Sequence, residues 1–137
     1  MANEIFVDTS GFYAILAKGD DKHVAAQRIL RDARRRKRGF LTTDYVLDET
    51  ATLLKARGLL HVLPPFFEKL DASRVFRIEW TDPDRFQAVR AFFVKHADQP
   101  WSFTDCLSFR VMTHFRLRDA LTKDSHFEHA GFVALLR

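Results

Sequence analysis

A chain of 137 residues, with 47% apolar and 29% charged side chains, is long enough to bury roughly two thirds of its unfolded surface and far from disordered or fibrous compositions. Its net charge of +4, with an isoelectric point near 9.5, permits a polyanionic partner without requiring one. The single cysteine, Cys106, excludes an intramolecular disulfide and fits a reducing cytoplasm, and no apolar run approaches the ~20 residues that cross a bilayer. The start of the chain has neither the basic opening nor the apolar core of a secretory signal. A soluble, cytoplasmic protein of one domain, residues 1–137, is the expectation.

The first element is an apolar run, Ile5-Phe6-Val7, ending at Asp8 and followed at once by Thr9-Ser10. Such a run reads as a strand buried on both faces, and Ser10 as the cap of a helix through Leu16. After the turn Lys18-Gly19-Asp20-Asp21, a helix with Ala25, Ile29 and Ala33 on one face runs into Arg34-Arg35-Arg36-Lys37-Arg38 and stops at Gly39. Phe40-Leu41-Thr42 is a short strand, and a threonine caps a helix from Asp44 to Arg57 that Gly58 ends. Residues 59–70 are helical around Pro64-Pro65, 74–80 alternate as a strand, and Asp82-Pro83 opens a helix to His96. A helix from Ser102 or Thr104 reaches Phe115. Ala120-Leu121-Thr122 is the last inner strand and residues 132–135 an edge strand. Strands alternating with helices throughout predict a parallel α/β sheet covered on both faces.

Four acids fall at chemically meaningful places on that scheme. Asp8 and Asp124 follow strands, at the carboxyl ends where open α/β sheets place their ligand crevice. Glu49 is spaced three and four residues from Val46 and Leu53, on the stripe expected to face the core, whereas Asp48 points about 100° away. Asp105 shares a helix face with Ser108, Phe109 and Met112. Each acid has an ordinary explanation, a helix dipole or a turn, when taken alone. Together they repel unless a cation neutralises them, and oxygen-only donors select Mg²⁺ or Mn²⁺, ions that suit phosphodiester hydrolysis.

In order along the chain, Val7-Asp8-Thr9-Ser10, Val46-Leu47-Asp48-Glu49-Thr50, Phe103-Thr104-Asp105-Cys106 and Leu121-Thr122-Lys123-Asp124-Ser125-His126-Phe127 resemble the motifs of PIN-domain ribonucleases, and most of all the VapC-type toxins of toxin–antitoxin pairs. The resemblance implies a PIN-like (Rossmann-like) three-layer α/β/α sandwich with a central, mostly parallel sheet. It implies Mg²⁺- or Mn²⁺-dependent endonuclease cleavage of tRNA or rRNA, with a homodimeric toxin and an antitoxin whose tail enters the acidic site through an arginine. By carry-over Asp8, Glu49 and Asp105 correspond to the invariant acids and Asp124 to the more variable fourth. Asp8 and Asp105 bind the metal directly, Glu49 and Asp124 complete the site or act through water, and Thr9 or Ser10 positions a water or Asp8. Lys123 beside Asp124 departs from the pattern.

Other signals divide more evenly. Six basic residues in the eight positions from Arg31 to Arg38 suit either a solvated helix end or RNA phosphates, Arg34, Arg35, Arg36, Lys37 and Arg38 being the candidates. Trp101 suits packing or a lid more than stacking on a base. His126 and His129 form an H-x-x-H pair in a turn-like setting without a cysteine nearby, which is poor for zinc. Cys106 reads as a small core residue. The aspartyl-phosphate motif D-x-D-x-T is broken by Ser10, and both glycine-rich nucleotide loops are absent, which leaves a non-catalytic RNA-binding or interaction module as the main alternative to a nuclease.

Overall fold

The computed structural model describes residues 3–137. Its strands, β1 (Ile5–Val7), β2 (Phe40–Thr43), β3 (Phe76–Glu79), β4 (Asp119–Leu121) and β5 (Val133–Ala134), form one sheet in the order β3-β2-β1-β4-β5, every neighbouring pair parallel. Between and after them run α1 (Thr9–Leu16), α2 (His23–Arg35), α3 (Asp44–Ala56), α4 (Leu63–Ala72), α5 (Pro83–Lys95), α6 (Phe103–His114) and α7 (Ser125–His129). Helices packed on the sheet make the α/β/α sandwich that the motif order implied. Every residue of β1 and β2 is buried, which is why their sequences read as continuous apolar runs rather than alternations.

Phenylalanine fills the core. Phe12 meets Phe66 edge-on at 5.2 Å and Phe76 at 6.0 Å, while Phe127 lies 6.3 Å from Phe6 and 5.0 Å from Phe109. Trp101 belongs to this cluster, near-parallel to Phe92 and edge-on to Phe109 at 5.1 Å. Cys106 is buried as expected, and burial, with Asp105 beside it, pushes its thiol up to about 11, so it is unreactive at neutral pH.

Several boundaries depart from the sequence expectation for local reasons. Helix α2 stops at Arg35, because Lys37 takes the left-handed conformation (φ 55°) and Arg38 N–H reaches back to the Ala33 carbonyl. Its fully buried positions are Ala26 and Ala33, with Ala25 and Ile29 at the flank. Gly39 is not the helix stop but the place where the chain passes under β3: a Cβ there would sit 3.3 Å from the Val75 carbonyl oxygen. The short helix α7, read from the sequence as a turn, exists because Asp124 caps it by accepting from His126 N–H.

The chain winds outward from β1 through β2 to β3, then returns to the other side of β1 for β4 and β5. The order therefore reverses between β1 and β4, and a crevice opens outside their carboxyl ends. Helix α1 closes down on this point through Gly11, where an added Cβ would lie 2.0 Å from the carbonyl oxygen of Leu121. Only a residue without Cβ allows that approach. We expect Gly11→Ala to cost at least about 1–3 kcal/mol by forcing helix and strand apart. Gly19→Ala, with nothing within 4 Å, should stay within about 0.5 kcal/mol. Urea denaturation of both variants measures the difference, and a Gly11→Ala midpoint equal to the parent's would refute the packing argument.

Candidate active site

Asp8 leaves β1 in extended conformation (φ −93°, ψ 171°) and stands at the N-terminus of α1 without capping it through its side chain. The carboxylate turns inward and the residue is only 6% exposed. Burial raises its pKa from 3.8 to about 7; hydrogen bonds from the Thr9 backbone and Thr122 oppose the shift, and the nearby charges of Asp105 and Asp124 reinforce it.

Thr122 is the hub of the crevice. Its hydroxyl donates to Asp8 Oδ2 at 2.9 Å and accepts the Asp124 backbone N–H at 3.0 Å. It also lies 3.0 Å from Ser10 Oγ, which in turn accepts the Lys123 backbone N–H at 2.9 Å. A hydroxyl has one proton to give, and with Asp8 receiving it, Ser10 must donate to Thr122. The donor and both acceptor sites of the threonine are thus used, which fixes the end of β4 against the start of α1.

Asp105 is placed by a reciprocal capping box: Ser102 Oγ accepts from Asp105 N–H at 2.9 Å and Asp105 Oδ2 accepts from Ser102 N–H at 3.1 Å. Its helix face is buried together with Ser108, Phe109 and Met112. Asp124 caps α7, its Oδ1 accepting from His126 N–H at 2.9 Å. The His126 ring completes the group, with Nδ1 3.0 Å from Asp105 Oδ2 and 3.5 Å from Asp124 Oδ1. Ligand atoms of Asp105, Asp124 and His126 all fall within 4.8 Å of one another.

Glu49 corrects the sequence reading. Val46, Thr50 and Leu54 form the buried stripe of α3, and Glu49, one residue and so about 100° from Thr50, is exposed rather than core-facing. Its Oε1 accepts the Thr9 hydroxyl at 2.9 Å, so α3 contributes its carboxylate from the open side. The hydroxyls of Thr9 and Ser10 are thereby committed to Glu49 and Thr122. Lys123, the departure from the motif, points away: its ammonium pairs with Asp20 at 3.0 Å and Asp21 at 3.2 Å in the turn between α1 and α2.

The donor set fits a hard divalent cation. Asp105 Oδ1, Asp124 Oδ2 and Glu49 Oε2 accept no hydrogen bond among the described residues, while the other oxygen of each acid is held by a donor from the protein. Acids clustered around a buried carboxylate of raised pKa lower their mutual repulsion by holding a cation.

Other candidates lie elsewhere. The run Arg34 to Arg38 is at the amino ends of the strands, opposite the acids: Arg38 bonds the Asn3 carbonyl at 2.6 Å and Asp119 at 3.0 Å, both at strand starts. Arg35 and Arg36 pair with Asp32 on the surface. Trp101 spends its ring on Phe92, His96 and Phe109. His129 is exposed and outside the acidic group. The sequence singles out neither Thr122 nor, beyond a poor H-x-x-H zinc pair with His129, His126, although both sit in the motif that ends at Phe127.

The chain is similar to known proteins over nearly its whole length. The PIN domain profile matches residues 5–133. A "23S rRNA-specific endonuclease VapC20" of Mycobacterium tuberculosis is 33% identical over 129 residues, covering 94% of this chain and 95% of the relative. A "VapC ribonuclease" of Archaeoglobus fulgidus is 31% identical over 123 residues, covering 88% and 77%. The crystal structure of the Mycobacterium tuberculosis VapC20, described as a "Sarcin-Ricin loop cleaving toxin", superposes with a TM-score of 0.81 at 32% identity over 95% of this chain and 97% of that one. The chain belongs to the PIN-domain family. Within it, this is a ribonuclease of the VapC type.

The raised pKa of Asp8 links the site to stability. A group whose folded pKa lies above its unfolded value contributes stability below the unfolded pKa and loses it as pH rises through the folded one, here between about 4 and about 7. In EDTA, Asp8→Asn should therefore stabilise the protein at pH 8, by up to a few kcal/mol at about 1.4 kcal/mol per pKa unit, and leave it unchanged near pH 4. Chemical denaturation at the two pH values checks this. An equal effect at both would show that Asp8 is not buried as a charge.

Proposed function

We infer that this protein is the toxin of a toxin–antitoxin pair, an endoribonuclease that hydrolyses phosphodiester bonds with Mg²⁺ or Mn²⁺. The observation that carries the reading is the group of Asp105, Asp124 and His126, whose ligand atoms lie within 4.8 Å of one another, with the buried Asp8 close enough to feel the charge of both acids. Asp8, Asp105 and Asp124 hold the cation and Glu49 completes the set from the open side. Thr9 fixes Glu49, and Ser10 acts on Asp8 through Thr122. A divalent ion so held supplies Lewis-acid chemistry, activating water and offsetting the charge that grows on the scissile phosphate. Ribosomal RNA is the first substrate to test, given the activity named for the Mycobacterium tuberculosis relative, and tRNA the second.

Purified protein should cut rRNA or tRNA into discrete fragments with Mg²⁺ or Mn²⁺. The fragments should vanish in EDTA and fall by at least about 100-fold, or ~2.7 kcal/mol of barrier, in Asp8→Asn and Asp105→Asn. Fragments that persist in EDTA, or in Asp8→Asn, would overturn the assignment.

The partner reading draws on a different surface. A groove of about 1190 Å³ between α1, α2 and α4 has an apolar floor including Ile15, Leu16, Leu30 and Phe76 and a basic rim of Lys18, Arg34, Lys37, Lys69 and Arg74. Such a groove suits an amphipathic segment with acidic flanks, and we assign it to the antitoxin rather than to RNA. The exposed Phe67 and Trp80, beside Leu47 and Ile78, offer an apolar face for a second copy of the chain. Replacing both Arg34 and Lys69 by Glu should weaken antitoxin binding about 10-fold, or ~1.4 kcal/mol, and leave RNA cleavage intact; binding titration and cleavage assay together decide it. Loss of cleavage with retained antitoxin binding would return the basic run to RNA.

A further inference from the structure

Of the side chains in the crevice, His126 is the one that no carboxylate chemistry requires. It reaches both flanking acids, by its backbone N–H to Asp124 Oδ1 at 2.9 Å and by ring Nδ1 to Asp105 Oδ2 at 3.0 Å. A carboxylate only accepts, so Nδ1 carries the proton of the second bond. The acids belong to separate elements, Asp105 to the first turn of α6 and Asp124 to the cap of α7, and among the described residues no other side chain bonds them to each other. Two roles are open to an imidazole in that place, metal ligand or support for the ligands.

The geometry separates them. Nδ1 faces the oxygens already engaged, since Asp105 Oδ2 also accepts from Ser102 N–H and Asp124 Oδ1 from His126 N–H. The oxygens left for a cation are Asp105 Oδ1 and Asp124 Oδ2. We propose that His126 is a positioning residue of the metal site: its Nδ1–H clamps Asp105 from behind, fixes its distance to Asp124, and so presents the two unengaged oxygens as a preformed pair. The proposal rests on the metal-dependent reading above and assigns within it a residue that acts through the ligands rather than as one. Partners of this kind typically tune metal affinity by roughly 10–100-fold.

The test uses Mn²⁺ alone as the probe, followed by its spin resonance signal in the purified protein, with Mg²⁺ as competitor. Asn in place of His126 can put an amide N–H where Nδ1–H stands; Ala cannot. We expect His126→Ala to weaken Mn²⁺ binding roughly 10–100-fold, His126→Asn to restore it to within about threefold of the parent, and Mg²⁺ affinity to fall by the same factor as Mn²⁺. The parent's bound Mn²⁺ should show no directly coordinated nitrogen in its spin-echo spectrum. A coordinated nitrogen, or a loss in His126→Asn as deep as in His126→Ala with Mn²⁺ affected more than Mg²⁺, would make His126 a ligand and overturn the proposal. Unchanged binding in His126→Ala would overturn it while leaving the nuclease reading in place. Absence of Mn²⁺ and Mg²⁺ binding by the parent would overturn the metal-dependent reading and the positioning role with it.

Discussion

The hydrogen bond from Thr122 to Asp8 is the contact on which the rest of the site depends. It joins the ends of two adjacent strands at the point where the order of the sheet reverses, and it does so with a carboxylate that burial disfavours as a charge. Burying an ion without partners costs far more than the fold could spare, so Asp8 is held by the Thr122 hydroxyl and the Thr9 backbone. Neither of these bonds adds a positive charge. The electrostatic problem is moderated rather than removed, and the repulsion from Asp105 and Asp124 persists. Gly11 belongs to the same constraint: without a close contact between α1 and the Leu121 carbonyl, Ser10 would not reach Thr122.

What the sequence made legible follows the rule that charges at strand ends and on buried helix faces are costly enough to leave a pattern. Asp8, Asp105 and Asp124 stand where strand endings and helix spacing put them. Glu49 was misplaced because its spacing from Val46 and Leu53 matches a core stripe equally well, and only packing shows the stripe centred on Thr50. Thr122 and Gly11 go unmarked in the sequence, and His126 shows there only as half of a poor zinc pair, for another reason. A threonine in a strand ending, a glycine in a helix and a histidine near a turn are each ordinary, and their importance lies in contacts 112, 110 and 21 residues away along the chain. No local pattern encodes such pairings.

The charge of the molecule is divided along the strands. The acids crowd the carboxyl ends, whereas the Arg34 to Arg38 run and the rim of the large groove lie at the amino ends. Lys123, the cation nearest the acids in sequence, is spent on Asp20 and Asp21. A net charge of +4 therefore conceals a crevice that is negative by itself and repels a phosphate backbone. On the proposed reading, a divalent ion in the crevice would serve substrate approach as well as chemistry, since without it the field at the acids has the wrong sign for RNA. Long-range attraction from the basic end decays over about 8–10 Å at physiological salt and cannot substitute for it.

The same polarity bears on how a partner in the groove would silence the site. Helix α1 belongs to both surfaces: Thr9 and Ser10 in its first turn hold the acidic network, and Ile15 and Leu16 in its last line the groove. At 1.5 Å per residue, those ends are only about 10 Å apart. A chain leaving the groove along α1 spans that distance with three or four extended residues at roughly 3.3 Å each. An arginine at its end would meet carboxylate oxygens that the fold leaves unbonded, and a guanidinium fork matches paired carboxylate oxygens better than an ammonium does. Occupying the crevice in this way would also supply the positive charge that, on the proposed reading, the acids otherwise take from a metal ion. On the proposed reading, groove binding and site neutralisation would thus reinforce each other without any change in the fold, because one helix carries both surfaces.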